Sequence, residues 1–163
     1  MATLTAWAFP SVDGAEKAVE RLKQLQSQQL IKLQDAAIVT WPVDKKKPKT
    51  RQLNNLAGAG ALGGAFWGML FGLLFFIPLL GLAIGAAMGA MAGAFSDVGI
   101  DDKFINEVRS QVTEGTSALF LLTVGGVVDR VREAVKGQEF EIIATNLSKE
   151  QEDKLRAAFS EEE

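Results

Sequence analysis

Apolar residues recur with two different periods along the chain, and the switches between them divide it into elements. Thr3 to Phe9 (TLTAWAF) is β-branched and aromatic and Pro10 closes it, so it reads as a strand ended by a residue that cannot continue a ladder. Ala15, Ala18, Val19, Leu22 and Leu25 then recur at helical spacing within Ser11 to Gln29, with Ser11 or Asp13 as N-cap and Glu16 three residues beyond Asp13. Ala36 to Trp41 (AAIVTW) predicts a second strand, and Lys49 to Leu53 (KTRQL) a return arm across the turn-rich 42–48 segment. Asp101 or Asp102 starts a later helix with Phe104, Ile105, Val108 and Val112 on one face, and Gly115 ends it. Ser117 to Val124 (SALFLLTV) is apolar enough to be a central strand. Gly125 and Gly126 turn the chain into a short helix with Val128, Val131, Ala134 and Val135 inward, and Gly137 precedes a strand from Phe140 to Asn146. Ser148 with Gln151 forms a capping box for a last helix striped by Leu155, Ala158 and Phe159, before a fraying Glu161 to Glu163 tail.

This alternation predicts an α+β fold, a ferredoxin-like α/β sandwich with helices on one face of a mainly antiparallel sheet. The pattern breaks once, because Gln52 to Ser96 is a run of 45 residues without a charge. The expected organisation is therefore 1–53 as the first part of the α/β domain, 54–96 as an inserted Gly/Ala-rich helical hairpin, and 97–163 as the second part with an acidic C-terminal helix.

Glycines order the uncharged run. Gly60, Gly64, Gly68 and Gly72 are spaced by four, and Gly81, Gly85, Gly89 and Gly93 repeat the spacing after LLFFIPLL, with Pro78 near its middle as the hairpin turn. Each row marks one helix stripe where a second backbone can approach closely. Glycine costs a water-exposed helix about 1 kcal/mol relative to alanine, so eight cost on the order of 8 kcal/mol unless close packing or bilayer confinement offsets it. A single helix over the run would be about 67 Å long against about 30 Å of hydrocarbon, whereas two arms of about 18 to 22 residues each match it. The run thus predicts two transmembrane-type helices, with an in-plane hairpin disfavoured by the lack of a polar face.

Charge orients that hairpin. The net charge of −3 averages a +4 stretch from Met1 to Arg51 with a −7 stretch from Asp97 to Glu163. Lys45, Lys46, Lys47, Lys49 and Arg51 stand just before the first arm, where a basic excess marks the cytoplasmic side and supplies about 1 kcal/mol per residue toward anionic lipid headgroups. A solvated hairpin turn explains the same cluster. The expected location is a bacterial inner membrane, multi-pass, with both termini cytoplasmic. The balance gives no reason to expect nucleic acid as a partner.

Composition narrows the chemistry. Cysteine, histidine and tyrosine are absent, which removes disulfides, the commonest metal ligand, the thiol nucleophile and the usual general base near neutral pH. A Ser-His-Asp triad is impossible without histidine. Gly125-Gly126 lacks the following Lys-Ser/Thr of a phosphate loop and reads as a strand-to-helix turn. Asp101 and Asp102 read as helix caps rather than cation ligands, and Trp7, Trp41 and Trp67 as packing residues. Neither arm carries a charge that would serve a proton relay or a selectivity filter. No catalytic residue, metal site or cofactor is expected.

The AAIVTW strand followed by a lysine-rich turn, the segment LAGAGALGGAFWGMLFGLLFFIPLLGLAIGAAMGAMAGAF, the GIDDKFINEV helix start and the SALFLLTV strand together resemble the bacterial domain of unknown function 1269 family, described as membrane proteins. The resemblance extends over nearly the whole chain. It implies the topology above and an association with stress, and it carries no activity or catalytic residue.

The expected function is accordingly a non-enzymatic, self-assembling membrane protein, with itself and membrane lipid as partners and the eight glycines carrying assembly. A ligand-sensing oligomeric pore or transport module is the alternative, since an α/β domain can bind a small molecule and gate a pore. A soluble cage or tube with the hairpins buried inside is the second.

Overall fold

The strand β1 (Ala2–Phe9) alternates its side chains between two apolar surroundings, Leu4, Ala6 and Ala8 on one face and Trp7 and Phe9 on the other. That double burial sets the architecture of the computed structural model, which describes residues 2–29, 31, 33, 35–45, 48–53, 70–71, 74, 100, 102–124 and 127–147. Helix α1 (Gly14–Ser27) follows, then β2 (Asp35–Thr40), β3 (Lys49–Gln52), helix α2 (Asp102–Gln111), β4 (Ser117–Val124), helix α3 (Val127–Ala134) and β5 (Glu141–Leu147). The strands form one sheet in the order β3-β2-β4-β1-β5, and every neighbouring pair is antiparallel.

Strand β4 is central, and Ser117 to Thr123 are all buried. Leu119 and Leu121 join Ala15, Ala18, Val19 and Leu22 of α1 and Val131 of α3 in one core. Ala118, Phe120 and Leu122 join Phe104, Ile105 and Val108 of α2 in the other. Continuous apolarity along β4 thus reflects burial on both faces, as expected of a strand sandwiched between two layers.

Two expectations are corrected. Helices cover both faces of the sheet rather than one: α1 and α3 lie on one side and α2 on the other, so the α+β fold has three layers in place of a two-layer sandwich. Helix count alone does not tell which face a helix takes; the side chains of β1, β2 and β4 needed cover on both. The second correction concerns the transmembrane-type hairpin and the multi-pass inner-membrane location. Among the described residues no helix is long and apolar enough to cross a membrane, and α1, with 14 residues, falls short of the roughly 20 that a span requires. Leu70, Phe71 and Leu74, the members of the uncharged run that are described together with Gln52 and Leu53 at its start, are 0, 3 and 4 % exposed in the core shared with α2. Hydropathy counts apolar residues without distinguishing a lipid-facing side chain from one that faces a sheet of its own protein.

The helix ends are held by residues from elsewhere in the fold. Asp13 occupies the N-cap position of α1, yet its carboxylate makes no capping bond. It pairs instead with Lys17 at 3.4 Å. The Ser11 hydroxyl bonded to it, and then the Lys17 charge, hold its carboxyl below the usual carboxylate range. The vacant capping role passes to Ser117 of β4, whose Oγ accepts from the Ala15 N–H at 2.9 Å and donates to the Ser11 carbonyl at 2.7 Å. Helix α2 ends at Gln111, before the Gly115 expected to stop it; Gly115 lies in the following turn at φ +86°, a conformation favouring glycine, and donates its N–H to the Trp41 carbonyl at 2.7 Å. The Trp41 N–H in turn donates to the Thr116 carbonyl at 2.9 Å, continuing the β2–β4 pairing past Thr40.

Candidate functional site

Three places on this frame are candidates for a functional site: the attachment of the uncharged run, the basic turn after β2, and a groove between α1 and α3. At the attachment, Leu70 and Phe71 are helical and Phe71 meets Phe120 of β4 edge-on, with ring centroids 5.3 Å apart. Edge-to-face rings at this separation contribute about 0.5–1.5 kcal/mol beyond the area they bury. Spacing of i, i+1 and i+4 places Leu70, Phe71 and Leu74 on one face of a helix, a signal that the more regular glycine rows obscure in the sequence.

The glycines Gly60, Gly64, Gly68, Gly72, Gly81, Gly85, Gly89 and Gly93, with Pro78, lie outside the described residues, as do Lys46, Lys47 and Trp67. Lys45 is exposed in the turn that follows β2, where the Lys45 N–H donates to the Pro42 carbonyl and the Trp41 indole donates to the Lys45 carbonyl at 2.9 Å. The neighbouring Asp44, at φ +70°, donates its N–H to the Glu114 carboxylate. Lys49 and Arg51 are exposed on β3, and Arg51 is engaged by Glu16 of α1 at 3.3 Å. A half-exposed pair of this kind is worth no more than about 1 kcal/mol. Val43, 64 % exposed, projects from the same turn.

The groove between α1 and α3 has a volume of about 640 Å³, with Leu25, Ile31 and Ala134 among its lining and Asp129, Arg130 and Glu133 from α3 beside them. Its walls are held in register by Arg21, which donates to the Ala134 carbonyl at 3.0 Å and so satisfies the C-terminal end of α3. The size lies in the range of small-molecule pockets, and the lining is chiefly apolar. Leu25 was legible as a core residue from its spacing; the groove itself depends on where α3 comes to rest and has no signature in the sequence.

Among the described residues no group of three or more His, Cys, Asp or Glu side chains is placed to hold a metal ion. The buried polar side chains Thr5 and Ser117 are bonded within the fold: the Trp7 indole donates to Thr5 Oγ1 at 2.8 Å, and that hydroxyl donates to the Leu121 carbonyl at 3.4 Å.

Comparison with known families matches residues 61–160, more than half of the chain, to the protein of unknown function DUF1269. The chain belongs to the DUF1269 family. The matched stretch takes in most of the glycine-bearing run, α2, β4, α3 and β5, while β1, α1, β2 and β3 lie before it. No curated protein and no solved structure showed significant similarity to the chain.

Proposed function

We propose that this DUF1269 protein is a non-enzymatic, self-assembling module in which the Gly/Ala-rich run supplies helix-to-helix contact between copies and the α+β domain carries it. The observation that supports this reading is the burial of Leu70, Phe71 and Leu74 against the sheet, which ties the uncharged run to the domain core. A run so anchored transmits the position of the domain to whatever its glycines pack against. Glycine at every fourth position removes side chains from one helix stripe and allows two backbones to approach closely, offsetting the propensity lost by each glycine. The lack of histidine, cysteine and tyrosine, with their acid, base and nucleophile chemistry, favours assembly over catalysis.

The test is the mass of the particle in detergent-free buffer, measured by light scattering on a sizing column. Gly68→Leu together with Gly85→Leu should reduce that mass while leaving the circular dichroism of the domain unchanged. An unaltered particle mass in the doubly substituted protein would sink the reading.

A further inference from the structure

The two edges of the sheet differ in a way that bears on how copies meet. The β3 edge is four residues long and carries Lys49 and Arg51, the short, cationic design that discourages pairing with another strand. The β5 edge is seven residues long, EIIATNL, with Glu141 as its one charged residue, and among the described residues no strand lies beyond it. An antiparallel neighbour uses the backbone groups of alternate residues, so pairing with β1 leaves the other alternate set directed away from the sheet.

A recess of about 320 Å³ opens beside this edge, lined by Lys103, Phe104 and Glu107 of α2 and by Ile143, Ala144 and Thr145 of β5. Ala144 is the midpoint of β5 and is exposed. Lys103 and Glu107 are exposed, stand one helical turn apart, and have no ion-pair partner among the described residues. Opposite charges so placed are self-complementary under a twofold axis, because such an axis reverses the helix and brings each charge to the other.

We infer that β5 is the strand through which two copies of this chain join, antiparallel about a twofold axis at Ala144, turning two five-stranded sheets into one of ten strands. In that register Ala144 faces Ala144, Ile143 faces Thr145 and Glu141 faces Leu147, so no like charges meet across the new pair. The two α2 helices run antiparallel on the same side of the joined sheet, and Lys103 of each copy meets Glu107 of the other. Main-chain bonds supply the adhesion and the reciprocal ion pairs fix the register. This contact uses the sheet edge, not the glycine rows, and stands or falls separately from them.

The chain has no cysteine, so one introduced thiol reports without interference. Directly opposed residues of an antiparallel pair have Cα atoms about 4.5–5.5 Å apart, within the range of a disulfide. Ala144→Cys should therefore oxidise to a covalent dimer on a non-reducing gel, and Thr50→Cys on the β3 edge should not. The dimer should also form in the Gly68→Leu, Gly85→Leu background, so loss of glycine-driven assembly and loss of the β5 contact give different results. Glu107→Lys should raise the dimer dissociation constant at least tenfold by sedimentation, and adding Lys103→Glu should restore it. An Ala144→Cys protein that stays monomeric, equal cross-linking by Thr50→Cys, or a double charge swap no better than the single one would each overturn the inference.

Discussion

A methyl group added at Gly14 would lie 2.5 Å from Phe9 Cβ and 3.1 Å from Ser11 Oγ. The first atom belongs to the root of a side chain and cannot rotate away, so the backbone itself has to shift. Gly14→Ala should lower the unfolding free energy by about 1–3 kcal/mol, the usual cost of overpacking, read as a reduced urea midpoint at unchanged slope. An unchanged midpoint would mean that the β1–α1 turn has slack the geometry does not indicate. Gly137 is held to glycine for another reason: its φ is +102°, and no atom lies within 4 Å of an added Cβ, so conformation and not space is the constraint there. Both glycines stand at the boundary of a helix, yet Gly137 alone could be assigned a role from its position after an apolar stripe.

Among the elements, α1 shows how far local rules reach. Its apolar stripe of Ala15, Ala18, Val19 and Leu22 is buried as the 3.6-residue period requires, and Leu25 packs partly buried at its end. Its start is decided by an atom 102 residues away, because the Ser117 hydroxyl binds both the Ala15 N–H and the Ser11 carbonyl. Ser117→Ala leaves a buried donor without its acceptor, at a cost of about 1–3 kcal/mol. Faster hydrogen exchange at Ala15 than at Val19 in that variant is the expected signature; equal protection at both amides would show that the cap contributes nothing. Nothing near Asp13 in the sequence announces Ser117, which looks there like the first residue of a strand. The β3 arm, four residues that pair with Ala37 to Thr40, was legible because the turn between β2 and β3 carries its own punctuation in Pro42 and Pro48.

For the whole molecule, the central question is what the uncharged run does to the domain that it interrupts. If Phe71 belongs to the core, as its 3 % exposure and its contact with Phe120 require, Phe71→Ala should cost about 3–5 kcal/mol and lower the thermal midpoint of the entire sheet. A loss below about 0.5 kcal/mol, typical of surface substitutions, would separate the run from the fold. The sheet itself joins the two sides of the run: β1, β2 and β3 precede it, β4 and β5 follow it, and β4 lies between β1 and β2. Such a sheet cannot close until residues far apart in the chain have met, as the pairing of Ala2 with Val124 shows, so long-range contacts dominate its assembly.

By itself the sequence determined the kinds of the described strands and helices and their apolar faces, though not the fate of the uncharged run, since these depend on periodicity and on residues such as Pro10 that act locally. It also determined the family, through residues 61–160, and the lack of histidine and cysteine chemistry. Tertiary structure alone decided that α2 covers the face opposite α1 and α3, that Ser117 caps α1, and that Leu70, Phe71 and Leu74 turn toward the sheet. The physical reason is common to all three. An apolar side chain is drawn out of water by the same free energy whether lipid, another copy or its own sheet receives it, and only the positions of distant residues select the recipient.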